Sequence, residues 1–270
     1  MEAVKSAQRA LLILELLTSL ETPATFTEIS ERLDLPRSSL SGLLSTMTDA
    51  SWLRIDPDTR AYRLGIRVME AGNAYLRAVD LPTRATPIMK SICDQMDETV
   101  QLAVLDGRFN VYIAKLEGNQ ALRLASEVGR RLPAHATGLG KVMLAYLDES
   151  DLNSRFHGVE LEVYTKNTLA TFAALKAELA RIRSLGFGVD NEEYSVGVRC
   201  VAAPVRDHTG AVVTAMSVSV PLIRFDRERR ARARELVVAA AARLSAELGY
   251  DPESQERKSQ ETKIQQRSRV

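Results

Sequence analysis

Residues 25–50 constrain this chain more than any other stretch. Thr25 and Glu28 stand three apart, the spacing at which a threonine hydroxyl and a glutamate carboxylate cap one helix start reciprocally. Phe26, Ile29 and Leu33 then share a face of a short helix. Asp34-Leu35-Pro36 makes the turn, and Pro36 suits the first position of the next helix, where its missing N–H costs nothing. In that third helix Leu40, Leu43, Leu44 and Met47 fall at i, i+3, i+4 and i+7. Upstream, 6–20 repeats the spacing with Ala10, Ile13, Leu14 and Leu17, and Pro23 follows its end. Three short amphipathic helices with a tight turn before the last are how many proteins seat a helix in the DNA major groove.

The opposite face of the third helix carries Ser38, Ser41 and Ser45, with Arg37, Ser39 and Gly42 beside it. Short hydroxyls, one arginine and a glycine allow close approach to phosphates and base edges. The same face would also suit a small helical bundle with a solvated side. The next segment favours DNA. Residues 52–55 and 60–64 are strand candidates around Asp56-Pro57-Asp58-Thr59, which makes a winged arrangement. Arg54, Arg60 and Arg63 would line the wing. Residues 1–65 carry seven Lys/Arg against nine Asp/Glu, which argues against a non-specific polyelectrolyte binder. Residues 66–79 read as a helix with Ile66, Met69, Tyr75, Leu76 and Val79 on roughly one side. Two uses suit it, a dimer contact or packing on its own domain.

The rest of the chain mixes helices and strands without regular βαβ alternation. Helices are expected over 87–96, 136–146, 171–185 and 224–249. Strands are expected over 99–105, 109–116, 121–128, 187–191, 199–206 and 211–220, with Asp106-Gly107 marking a hairpin. This is the pattern of an α+β domain with an antiparallel sheet. Leu81-Pro82 and Thr86-Pro87 punctuate the chain, and the domain connection is placed there. The organisation read from the sequence is a winged helix-turn-helix over 1–65, a linker helix over 66–80, an effector domain over 81–250 and a polar tail over 251–270. The tail reads as disordered or partly helical. At 270 residues the chain is long enough for two cores.

From 6 to 249 the chain resembles the IclR-type transcriptional regulators. The signature is Gly186-Phe-Gly-Val-Asp190-Asn-Glu-Glu193, six residues, then Cys200-Val-Ala-Ala-Pro204-Val-Arg206-Asp207. Pro133-Ala-His135-Ala-Thr137-Gly138-Leu139-Gly140-Lys141 and Val104-Leu105-Asp106-Gly107 match as well. Two positions depart from the pattern. Arg206 stands where an aromatic is common, and Gly42 where a long side chain such as Arg is common. The resemblance implies a winged helix-turn-helix joined to a GAF-like domain with an antiparallel sheet, assembled as a dimer or tetramer. Its partners would be operator double-stranded DNA and a small carboxylate or aromatic catabolite, with no cofactor. Most such proteins repress; some activate.

The resemblance places effector contacts at Gly138, Leu139, Asp190, Cys200, Ser217 and Ser219. The chemistry suits them. The N–H groups of Gly138-Leu139-Gly140 at a helix start can hold a carboxylate. Ser217 and Ser219, two apart on a strand, share a face. Tyr194 and Phe156 are aromatic candidates for the same cavity. Gly138–Lys141 imitates a phosphate loop but lacks the upstream glycine and the Ser/Thr after Lys. The three histidines, His135, His157 and His208, are not at close metal-ligand spacing. The alternative from another class is a thiol hydrolase built on Cys200 and His135, or a small-molecule-binding module without DNA function. Cys93 and Cys200 suit free thiols in a reducing compartment. With neither a membrane-length apolar run nor a signal-cleavage pattern, cytoplasmic residence is the expectation.

Overall fold

The computed structural model describes residues 4–120 and 127–252, and divides the chain into compact units Met1–Val79 and Asp80–Val270. The strand expected over 121–128 and the tail beyond 252 fall mostly outside the described residues.

In the first unit α1 (Lys5–Ser19), α2 (Phe26–Leu33) and α3 (Arg37–Asp49) surround one small core. The hydrophobic spacing decides which faces meet: Ile13, Leu17, Ile29, Leu40, Leu44 and Met47 are buried. Both halves of the capping box form at α2. Glu28 N–H donates to Thr25 Oγ1 at 3.3 Å, and Glu28 Oε2 accepts from Thr25 N–H at 2.7 Å. The turn closes through Asp34, which ends α2 in the left-handed region at φ 48°. Pro36 is the residue before α3 rather than its first, since its extended ψ of 132° is not helical.

Strands β1 (Leu53–Ile55) and β2 (Tyr62–Leu64) pair antiparallel as the wing, and Ala24 adds one bridge to Tyr62. The Asp56 carboxylate closes the turn by accepting from the N–H groups of Thr59 and Asp58 at 2.9 and 3.1 Å. Arg60 is therefore not in a strand. It turns the chain at φ 57° at the wing tip. Helix α4 (Ile66–Val79) follows, and Ile66 and Met69 are more than half exposed. These two side chains keep most of their surface open to solvent.

The second unit opens with α5 (Leu81–Met96), which starts at Leu81 rather than at Pro87. Pro82 is tolerated in the first turn. Pro87, inside the helix, costs one backbone bond. The two prolines thus lie within a helix, and the break between units falls at Val79–Asp80.

A six-stranded sheet carries the unit. Its strands are β3 (Thr99–Asp106), β4 (Phe109–Leu116), β5 (Arg131–Pro133), β6 (Gly188–Asn191), β7 (Val198–Arg206) and β8 (Val212–Pro221). The order is β5-β4-β3-β8-β7-β6 and every pairing is antiparallel. Between β5 and β6 come α6 (Gly138–Leu144), α7 (Glu149–Phe156) and α8 (Phe172–Leu185), and α9 (Arg227–Glu247) closes the unit. α5 and α9 pack together and onto strands of the sheet. α6 lies on β3, β6, β7 and β8 and carries α8. The central strands β3 and β8 are buried along most of their length, so the side-chain sets of both faces are inside.

Short β5 and helix α7 went unread in the sequence. β5 is three residues, and α7 buries only Leu152 and Phe156, too few to show a period.

Candidate functional site

On α3 the residues Arg37, Ser38, Ser41, Gly42 and Ser45 are exposed and Ser39 is half-buried. A side chain added at Gly42 would meet nothing within 4 Å. The Arg37 guanidinium lies over the Phe26 ring at 5.7 Å, which holds it at the start of the helix. Across the wing Arg54 and Arg63 are directly paired, both exposed, and among the described residues neither has an ion-pair partner. Like charges facing each other across a strand pair destabilise it unless an anion lies between them. Arg60 stands apart at the tip.

In the second unit the sheet register builds one polar cavity. Asp190, Cys200, Ser219 and Thr99 stand in a row across β6, β7, β8 and β3. Gly188, Ala202, Ser217 and Gln101 form the next row on the same face. The cavity, of about 210 Å³, lies above these rows against α6. Gly138, Leu139, Asp190, Cys200, Ser217 and Ser219 all line it, so the structure brings all six together. Tyr194 joins them. Phe156 does not: it is 1% exposed and packed against the Phe172 ring in the core.

The walls are wired together. Gln101 Oε1 accepts from Ser219 Oγ at 2.7 Å and Ser217 Oγ at 3.2 Å, and Cys200 Sγ is 3.0 Å from Ser219 Oγ. Burial pushes the Cys200 thiol up, with the neighbouring Asp190 adding to the shift, so the thiol stays protonated. Asp190 is 5% exposed, and its Oδ1 accepts from the Glu193 N–H at 2.7 Å. Burial raises its carboxyl to about 7, against that backbone bond, and the nearby Glu193 carboxylate pushes the same way. Lys141 opposes the rise from below. It is 1% exposed, and its ammonium donates to Val189 O at 2.8 Å and to both Glu193 oxygens, Oε2 at 2.6 Å. Lys141 is therefore committed to the interior, which removes the phosphate-loop reading.

The helix start offers less than the sequence suggested. Thr137 caps α6, and its Oγ1 accepts from Gly140 N–H at 3.1 Å. Among the described residues the N–H groups of Gly138 and Leu139 have no hydrogen-bond partner there. Gly140 is needed for a different reason. A Cβ at this position would stand 2.3 Å from Ala134 Cα and 2.4 Å from its carbonyl oxygen. Gly140→Ala must push the preceding turn off α6. We expect it to destabilise the second unit by several kcal/mol, as backbone strain and overpacking combine. A urea midpoint matching wild type would show that the turn can give.

Sequence reasoning missed Gln101, Tyr112, Arg130, Leu132, Thr137, Ser195 and Val198 as cavity residues. Gln101 had a signal: it is the polar residue amid the apolar run of β3. Arg130 adds a positive charge to the lining. His135 lines a different cavity, with Phe156 and Tyr164, and its ring faces Glu162 O at 3.0 Å. It does not line the cavity of Cys200, so these two do not stand together as nucleophile and base.

Residues 6–57 match the model of the IclR helix-turn-helix domain, and residues 73–246 match that of the bacterial transcriptional regulator IclR C-terminal domain. The chain belongs to the IclR family. It is 38% identical to the HTH-type transcriptional regulator XynR of Escherichia coli over 93% of this chain and 99% of that one. It is 33% identical to the HTH-type transcriptional repressor AllR of the same species, over 92% of each. A solved IclR homolog from Microbacterium hydrocarbonoxydans, complexed with 4-hydroxybenzoate, superposes with a TM-score of 0.79 at 25% identity, covering 90% of this chain and 98% of that one. This IclR-family chain is a transcriptional regulator with an N-terminal DNA-binding domain and a C-terminal effector domain. The thiol-hydrolase alternative falls with that assignment. Among the described residues no helix is long and apolar enough to cross a membrane.

Proposed function

We propose that this regulator is a ligand-responsive repressor of a catabolic operon. It holds operator DNA with Arg37, Ser38, Ser39, Ser41, Gly42 and Ser45 of α3 and with Arg54, Arg60 and Arg63 of the wing. A small carboxylate or aromatic acid occupies the cavity over Asp190 and Cys200. The cavity carries the reading above all else. Six polar or backbone groups converge on about 210 Å³, below the range of drug-sized sites, which suits a small metabolite. Arg130 and the Gly138 and Leu139 N–H groups would satisfy a carboxylate. Tyr194 and Leu139 would flank a ring, as befits the 4-hydroxybenzoate named for the Microbacterium relative. The repressor sense rests on AllR.

We place the protein in the cytoplasm as a dimer or tetramer. Exposed Ile66 and Met69 of α4, with Leu11 of α1, offer apolar surface in the first unit for self-association. Effector and operator affinities are then linked, each changing the other by one factor.

The test is a fluorescence-anisotropy titration of the full chain with its own upstream DNA. Binding at low salt that a small acid releases is the expected result. No binding to any native promoter fragment would end the reading. Arg54→Gln with Arg63→Gln should remove two phosphate contacts. The slope of log affinity against log salt then falls by about 2, with base preference kept. A shift in preferred sequence instead would place these arginines on base edges.

A further inference from the structure

The hairpin of β6 and β7 has two faces, and only one looks into the effector cavity. Along β6 and β7, Asp190 and Cys200 point there. Val189, Asn191 and Arg199 line a second cavity of about 310 Å³. Leu169, Glu178 and Arg181 close it from the α8 side, Phe225 and Arg230 from the α9 side, and Glu193 from the loop after β6.

Its charges do not balance. Arg181 is answered by Glu178, with two contacts at 2.7 Å, and Lys141 by Glu193. Arg199 reaches Glu192 only at 3.3 Å, and its Nε is shut off from solvent with no hydrogen-bond partner among the described residues. The exposed Arg230 guanidinium has no ion-pair or hydrogen-bond partner among them. Three cations of the lining (Arg181, Arg199, Arg230) thus stand against two carboxylates (Glu178, Glu193), and Glu193 is already paired with Lys141. A buried donor without an acceptor is costly to leave unmade, and guanidinium groups are shaped for planar or tetrahedral oxyanions.

We propose that this cavity is a second ligand site, separate from the effector cavity, for the oxyanion of a small metabolite. The open ends of the Arg199 and Arg230 guanidinium groups supply the main donors, Arg181 a third charge, and Leu169 and Phe225 an apolar wall. The site does not depend on what fills the effector cavity. Its occupant nonetheless meets Glu193, whose backbone N–H holds Asp190 on the other face. Two ligands that meet the same residue from opposite sides have a direct physical route for coupling.

The test uses the full chain, titrated with inorganic phosphate or with acetate at constant ionic strength, and followed by thermal shift and calorimetry. A saturating rise in melting temperature with either anion is expected, since a ligand of the folded state stabilises it by mass action. The arm that saturates at lower concentration tells a phosphate from a carboxylate ligand. Arg230→Gln should weaken the response roughly tenfold, and Arg199→Gln with Arg230→Gln should abolish it. Arg232→Gln removes the same charge from a site on α9 that bonds Gln95 and Glu235, and should leave the response intact. A response to neither anion, a response to both that the double variant leaves unchanged, or one lost equally in Arg232→Gln overturns the proposal; an acetate response alone that survives in the double variant is tested again in Asp190→Asn, which alters the other cavity only, and overturns the proposal if that variant leaves it unchanged.

Discussion

Lys141→Met should cost the second unit about 3–5 kcal/mol, the largest effect we expect from one substitution in this chain. The wild-type ammonium is 1% exposed and binds both Glu193 oxygens and Val189 O, with Glu178 Oε1 at 3.9 Å. Methionine fills much the same volume, so the loss is one of charge rather than packing. It leaves the Glu193 carboxylate buried with Asp190 and Glu178 nearby and no cation between them. Breaking a buried pair from one side is what makes it costly. Removing both partners together is far cheaper, because no charge remains stranded. Lys141→Met with Glu193→Leu should therefore be more stable than Lys141→Met alone. For a unit of this size the single variant lowers the melting temperature by roughly 10 °C. Urea and thermal melts by circular dichroism measure both. Equal stability of the single variant and wild type would mean that Lys141 is not a buried cation in the folded protein.

The first unit was legible because its signals are local. A capping box, a Pro after the turn and two runs of i, i+3, i+4, i+7 each act within a few residues, and the structure reproduces each within a residue. Arg60 was misplaced because the run 60–64 alternates well enough for a strand. What displaced it was the Asp56 carboxylate, which ties up the next two turn residues and forces a left-handed residue after them. The prolines of α5 misled in the opposite direction. Pro82 and Pro87 read as punctuation, yet a first-turn proline costs little and the buried stripe Ile88, Met89, Ile92 and Cys93 holds the helix past the second.

The cavity was only half legible. Resemblance supplied six lining residues, and alternation along β8 placed Ser217 and Ser219 on one face. Gln101, Tyr112 and Arg130 enter through strand order, which no local pattern records. β3 lies beside β8 in the sheet although more than a hundred residues separate them in sequence. Lys141 was read only as part of the helix over 136–146, and the fold alone reveals that it is the counter-ion of Glu193. The departure at Arg206 also has a physical account. Its guanidinium lies over the Tyr146 ring at 4.3 Å and near Tyr250 at 5.8 Å, so a flat cation occupies the place of a flat ring.

Binding of an anionic effector should weaken as pH rises through about 7, by up to tenfold per pH unit above it. Asp190 is the source. Burial lifts its carboxyl to about 7, the Glu193 carboxylate reinforces the rise, and the Glu193 N–H and Lys141 oppose it. The other groups facing it keep their charge over this range. The Cys200 thiol and the Tyr112 phenol are both pushed up by burial and stay neutral. Below pH 7 Asp190 is a neutral acid that can donate to a carboxylate; above it, two anions would share the cavity. The same group sets a stability slope. Its folded value lies above the ordinary carboxyl value of 3.8, so between roughly pH 4 and 7 the native state holds the extra proton. Stability from this residue is full below that window, is lost as pH rises through it, and is level above. Asp190→Asn should remove both effects, binding an acid such as 4-hydroxybenzoate equally at pH 6 and 8 and more tightly than wild type at pH 8. Calorimetry of both proteins across pH 6–8 decides it, because every group other than residue 190 is common to the two. Affinity that climbs with pH in wild type would mean that Asp190 works ionised, accepting from a ligand hydroxyl or amine, and that the effector is not held there as an anion.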